Sequence, residues 1–176
     1  MHSSWPPKGS DRDLRARYGR PVIEEPTGGF RSEFARDADA SPGLLLWQVT
    51  NRWQAAQRAA LAPFDLTHVQ FVLLASLTYL AQPGGEPITQ RDLAAHAATD
   101  PMMTSQVLRA LEHKGLVERH DHPHDRRARS LAPTKAGVAL VNRAIVAVET
   151  CDREFFEPLG DRLRDFADAL RDLRDR

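Results

Sequence analysis

Residues 116–137 read LVERHDHPHDRRARSLAPTKAG, the chain's densest grouping of side chains able to do chemistry. His120, His122 and His124 alternate along it, followed by Asp125, Arg126, Arg127 and Arg129. Alternate residues of an extended strand share a face, so these histidines with a carboxylate could form a metal site. Zinc needs three or four N, O or S ligands converging at about 2.0–2.3 Å, and no histidine follows residue 124 to complete such a set. A zinc-dependent enzyme using His120, His122 and His124 is therefore an alternative that lacks its downstream ligands. The plainer reading is polar side chains on an exposed hairpin. The arginines suggest different chemistry. Guanidinium groups at the tip of a two-stranded ribbon suit the narrow, strongly negative minor groove of A·T-rich DNA. Asp125, two residues ahead of Arg127, either holds that guanidinium by a forked hydrogen-bond pair or forms a solvated ion pair with it.

The elements that would position this stretch follow from period and punctuation. Residues 116–121 and 127–132 can pair as strands around the turn HPHD, which contains Pro123 and Asp125. Upstream, Thr89 with Asp92 opens a helix over 89–97, and Asp100 with Pro101 opens a second, which runs to about His113 and ends at Gly115. The inward stripe predicted for this second helix is Met103, Val107, Ala110 and Leu111, leaving Met102, Ser105, Arg109 and Glu112 opposite and Thr104 and Gln106 on the flanks. Before this pair, Leu46, Val49, Trp53, Ala56 and Ala60 fall on one helical face that stops at Pro63. A capping box, Thr67 with Gln70, then starts a helix carrying Val69, Val72, Leu73, Ser76, Leu77 and Leu80. After the hairpin, Thr134 caps a long helix with Val138, Val141, Ile145 and Val148 on its stripe. Leu159, Leu163, Phe166, Leu170 and Leu173 follow at heptad-like steps, with Asp and Arg alternating on the other faces. So narrow a stripe is better buried against a second subunit than left in water.

A chain of 176 residues, 41% hydrophobic and 27% charged, has the size of one domain with an extension and can bury a core. Residues 1–41 read as an irregular extension with a short helical piece around 11–18. No apolar run approaches the roughly 18 residues of a membrane span. A single cysteine, Cys151, excludes an intramolecular disulfide framework, and no signal-like segment opens the chain, so a cytoplasmic location is expected. A net charge of zero argues against bulk coating of nucleic acid, whereas residues 126–135 carry four basic and no acidic side chains. Such a local positive spot suits geometry-dependent contact.

The order of helix, turn, capped helix, glycine, basic hairpin and long helix resembles the MarR family of winged helix-turn-helix regulators. The residues that carry the resemblance are Leu111, Gly115, Leu116, Val117, Arg119, Asp125, Arg127, Thr134 and Gly137, within a similarity covering about 42–176. Pro133 departs from the family's usual Leu and is expected to shorten the second strand, and Gln106 stands where relatives often have Arg. The resemblance implies a mainly α fold with a small β-hairpin wing. It assigns residues 67–133 to the DNA-binding lobe and residues 42–66 and 134–176 to dimerisation helices, the latter joined through Leu159, Leu163, Phe166, Leu170 and Leu173. It further implies a recognition helix that contacts double-stranded DNA through Met102, Thr104, Ser105, Gln106 and Arg109, and a wing that uses His124, Asp125, Arg126, Arg127 and Arg129. The activity it implies is that of a homodimeric transcriptional regulator reading pseudo-palindromic operators, not an enzyme, and without cofactor or metal. Its ligand would be a small aromatic or phenolic effector near Trp47 and Trp53, although core or dimer contact is the plainer role for both. A winged-helix module that binds protein rather than DNA is the other alternative.

Overall fold

A computed structural model describes residues 32, 34, 37–82, 84–122 and 128–175. The helical piece expected around 11–18 and the wing tip lie outside them. The chain divides into two units, Met1–Val49 and Thr50–Arg176. In the first, a 3-10 turn at Ala38–Ala40 leads into the opening turns of helix α1 (Pro42–Leu61), where Ser41 Oγ accepts from the Leu44 amide at 3.3 Å.

In the second unit α1 continues into a 3-10 turn at Ala62–Phe64, and α2 (His68–Leu80) follows. Strand β1 (Ile88–Thr89) leads straight into α3 (Gln90–His96), and α4 (Pro101–His113) comes next. The hairpin consists of β2 (Val117–Asp121) and β3 (Arg129–Pro133), and α5 (Lys135–Phe156) follows it. A kinked 3-10 segment, Glu157–Arg162, separates α5 from α6 (Leu163–Arg174). The three strands form one antiparallel sheet in the order β1-β3-β2. The architecture is mainly α with a small sheet.

Local chemistry explains the helix starts. Thr67 accepts from the Gln70 amide while the Gln70 side chain accepts from the Thr67 amide, which satisfies two otherwise orphaned donors. Thr134 Oγ accepts from the Gly137 amide at 3.0 Å and so caps α5.

The core lies where α2 meets α3, α4, α5 and β3. Leu61, Leu73, Leu74, Leu77, Leu93, Leu108 and Leu111 are fully buried, each removing enough apolar surface to stabilise by about 1.5–3 kcal/mol. Because neighbours surround α2 on several sides, it buries Phe71 and Leu74 as well as Leu73 and Leu77, so a single stripe understates its interior.

Several expectations need correction. Helix α5 buries Gly137, Val141, Ala144 and Val148, whereas Ile145 is exposed and Val138 half-buried. The close approach is made by small residues that a hydrophobicity count passes over. Strand β1 has no signal in the sequence, because two residues cannot display a period of two. Pro133 does not shorten β3 but ends it, opposite Val117. Strand β1 pairs only with Ser130 and Leu131, so Pro133 stands beyond the three-stranded part, where a missing N–H would matter most. Leu159 lies outside α6, in the 3-10 segment, where Gly160 (φ 51°, ψ −130°) interrupts the heptad-like spacing. Within α6, Leu163, Leu170 and Leu173 are exposed, and Phe166 is half-buried with its ring 5.9 Å from that of Phe156. Among the described residues, no single helix is long and apolar enough to cross a membrane.

Candidate nucleic-acid interface

Helices α3 and α4 form a helix-turn-helix whose geometry is set at its caps. Thr89 donates to Asp92 Oδ2 from its amide (2.9 Å) and from its hydroxyl (2.7 Å), and the Asp92 amide returns a bond to Thr89 Oγ. These bonds hold the Asp92 carboxyl below the usual carboxylate range. Gln90 Nε2 donates to the Pro101 carbonyl at 3.2 Å and so ties α3 to the start of α4. Asp100 Oδ1 accepts from the amides of Met102 and Met103, both at 2.9 Å, which caps α4 where Pro101 pre-sets its first turn. Replacing Asp100 with Ala is expected to reduce stability by about 1 kcal/mol, read as a lower urea midpoint at unchanged slope. An unchanged midpoint would show that the cap contributes nothing.

The orientation of α4 differs from the expected one. Thr104, Leu108 and Leu111 face inward and are fully buried, while Met103, expected inside, is 39% exposed. Thr104, expected on the flank of the open face, is therefore turned into the core. Its hydroxyl donates to the Asp100 carbonyl and lies 2.8 Å from the Thr99 hydroxyl, so it enters the interior with its polar needs met. Met102 (72% exposed), Gln106 and Arg109 remain on the open face, with Ser105 half-buried beside them. Arg109 Nη2 reaches toward Ser105 Oγ at 3.4 Å, a long contact that leaves the guanidinium largely available.

The far end of α4 is fastened to the sheet and to α5. Gly115 takes the left-handed conformation (φ 68°) that ends the helix, and its carbonyl accepts from the Thr134 hydroxyl at 2.7 Å. Arg119 Nε on β2 donates to Glu112 Oε1 on α4 at 2.7 Å. Arg129 does not stand free on the wing, because it is ion-paired with Asp121 across the hairpin. His124, Asp125, Arg126 and Arg127 lie outside the described residues. His120 Nε2 lies 3.2 Å from Glu118. Among the described residues, no group of three or more His, Cys, Asp or Glu side chains is placed to hold a metal ion.

Trp53 and Trp47 fall in different units. The Trp53 indole donates to Asp152 Oδ1 at 2.8 Å, and Gln57 Nε2 donates to the same oxygen at 2.6 Å. The His68 ring meets the Trp53 ring edge-on at 5.0 Å, and burial lowers its pKa, opposed by the nearby Asp152 and assisted by Arg58. The polar handle of Trp53 is thus already engaged in joining α1 to α5. Sequence reading missed Gln57 and Asp152, whose one local signal is the i, i+4 spacing of Trp53 and Gln57. Trp47 is 68% exposed. Cys151 is half-buried in an open groove of about 620 Å³ lined by Ala56, Ala60, Phe64, Val146 and Ala147. Burial, with Asp152 and Glu154 close by, pushes its thiol up and disfavours the reactive thiolate.

Comparison with known proteins agrees with this geometry. Residues 66–128 match the model of the MarR family. The chain is 48% identical over 118 residues to the Bacillus subtilis HTH-type transcriptional regulator YdcH, covering 67% of this chain and 80% of the relative. It is 33% identical over 136 residues to an HTH-type transcriptional repressor of Mycobacterium tuberculosis, covering 77% of this chain and 94% of the relative. Among solved structures, CouR of Rhodococcus jostii bound to p-coumaroyl-CoA superposes with a TM-score of 0.67 at 29% identity, over 77% of this chain and 92% of that one. A cysteine-to-serine variant of Escherichia coli MarR complexed with operator DNA gives a TM-score of 0.68 at 26% identity, over 74% and 91%. On this combined ground of fold, capped helix pair and sequence, the chain belongs to the MarR family of winged helix-turn-helix transcriptional regulators.

Proposed function

We propose that this regulator binds double-stranded DNA as a homodimer, with α4 in the major groove and the hairpin 117–133 flanking the minor groove. One observation carries the reading. Helix α4 is sealed on one side by Thr104, Leu108 and Leu111, and on the other presents Met102, Gln106 and Arg109 to solvent from a rigidly capped start. An amide side chain at position 106 suits adenine N6/N7, and a guanidinium at 109 suits guanine or phosphate. The operator complex of the Escherichia coli relative supports this use of the fold. Residues 67–133 form the DNA-binding lobe in this proposal, and helices within 42–66 and 134–176 form the dimer body. One lobe makes few base contacts, so two are needed. Recognition helices about 34–36 Å apart would read half-sites one helical turn apart in a pseudo-palindrome. The complex of CouR with p-coumaroyl-CoA supports regulation by a small aromatic effector that binds one arrangement of the lobes better than the other. A cytoplasmic location accompanies this function.

The test is binding to a duplex from upstream of the protein's own coding region across a salt series. Arg109→Ala is expected to weaken binding, and Arg127→Ala to weaken it while reducing the salt slope by about one unit. Loss of affinity without a change in slope would remove Arg127 from the phosphate or minor-groove contacts. No binding at any salt concentration would favour a winged-helix module that contacts protein instead.

A further inference from the structure

Besides its bonds to the sheet and to α5, the carboxyl end of α4 has a third attachment. Lys114, the residue after the helix, donates from Nζ both to the Asp65 carbonyl and to Asp65 Oδ2, the latter at 2.9 Å. Asp65 is the hinge between α1 and α2. It follows the 3-10 turn Ala62–Phe64, its amide donates to the Ala62 carbonyl at 3.2 Å, and its backbone is left-handed (φ 51°, ψ 40°). On either side of the hinge, Leu61 is fully buried and Leu66 is 5% exposed, so the turn is anchored in the core. One ammonium gripping both the carbonyl and the carboxylate of a single hinge residue constrains direction as well as distance.

An ion pair with one partner this exposed (30% and 95% side-chain exposure for Lys114 and Asp65) adds little to stability. Its consequence is geometric. Glu112–Arg119 ties α4 to β2 and Thr134–Gly115 ties it to α5, but Lys114–Asp65 is the tie that runs to the end of α1. We infer that Lys114 is a positioning residue for DNA binding, which passes the direction of α1 at the Asp65 hinge to the recognition helix. The inference rests on the DNA-binding reading above. Lys114 need not touch DNA for it to hold.

The experiment uses the full chain as wild type, Lys114→Met, Asp65→Asn and the double variant. Asn keeps the tolerance for a left-handed backbone while removing the charge. The probes are a duplex selected by the wild type from a random-sequence pool and the same duplex with one base pair inserted at its centre. Each single variant is expected to bind the selected duplex roughly two- to fivefold more weakly, and the double variant no more weakly than the worse single one, the non-additivity of a shared interaction. Salt slope and melting temperature should stay at wild-type values. The penalty for the inserted base pair should shrink, because a recognition helix without this tie to α1 tolerates altered half-site spacing better. A fall in slope of about one unit for Lys114→Met, with Asp65→Asn unaffected, would make Lys114 a phosphate contact and overturn the inference. Additive losses, unchanged affinity or an unchanged insertion penalty would also overturn it. Failure of the wild type to select any duplex would instead overturn the DNA-binding reading, and this inference with it.

Discussion

Gly137→Ala is expected to destabilise the protein by about 3 kcal/mol or more, although alanine is ordinarily the better helix former by about 1 kcal/mol. The sign reverses because of what surrounds the first turn of α5. A Cβ at position 137 would sit 2.1 Å from the Leu116 carbonyl oxygen, 3.1 Å from its carbon and 3.3 Å from Leu74 Cδ1. The two nearest atoms are backbone, so no rotamer change relieves the clash. Nor can the helix slide away cheaply, because the Thr134 amide donates to the same Leu116 carbonyl at 3.0 Å and the Thr134 hydroxyl holds both the Gly137 amide and the Gly115 carbonyl. Separating α5 from the start of β2 would break the Thr134 amide bond to Leu116 and the Thr134 hydroxyl bond to Gly115 together. Urea denaturation of Gly137→Ala beside Gly43→Ala checks the argument, since a Cβ at position 43 meets nothing within 4 Å. The first should fall well below wild type, and the second should match or exceed it. Equal midpoints for wild type and Gly137→Ala would mean that the contact between α5 and Leu116 is looser than these distances.

Leu170→Asp and Leu163→Asp are each expected to yield monomers in sedimentation velocity and to weaken DNA binding by at least roughly a hundredfold, the scale of avidity lost when a second linked site disengages. Helix α6 has 12 residues and exposes Leu163, Leu170 and Leu173 at 44%, 41% and 56%, with charged residues on the remaining faces. So short a helix is marginal in water without an apolar surface to cover it. Burying each leucine against a second copy would contribute about 1.5–3 kcal/mol, repeated by symmetry on the other protomer. A carboxylate in the middle of that stripe has no partner there and would be stranded on burial. Retained dimer mass in both variants would exclude α6 from the interface. Dimer loss without loss of DNA affinity would show that one lobe binds DNA alone.

The features readable from sequence are those whose physics is local. Thr67 with Gln70, Thr89 with Asp92, Asp100, Gly115 and Thr134 announce their elements because a cap bonds to amides two or three residues away. The order of the helices and the hairpin, and with it the family, follows from these signals. Which face of α4 points inward does not. Hydrophobicity favours Met103 over Thr104, yet Thr104 is buried because the Asp100 carbonyl and the Thr99 hydroxyl satisfy its oxygen, while Met103 is left in solvent. Strand β1 exists only because Ser130 and Leu131 lie beside Ile88 and Thr89. Trp53 and Gln57 meet Asp152 across 99 and 95 residues, and Lys114 meets Asp65 across 49. The sequence alone determined the side-chain-capped helix starts and the succession of helices and hairpin, because those energies are settled within one turn of chain. Only the tertiary structure decided the rotation of each helix and the pairing of distant polar groups, because those depend on which neighbours the folded chain brings to each surface.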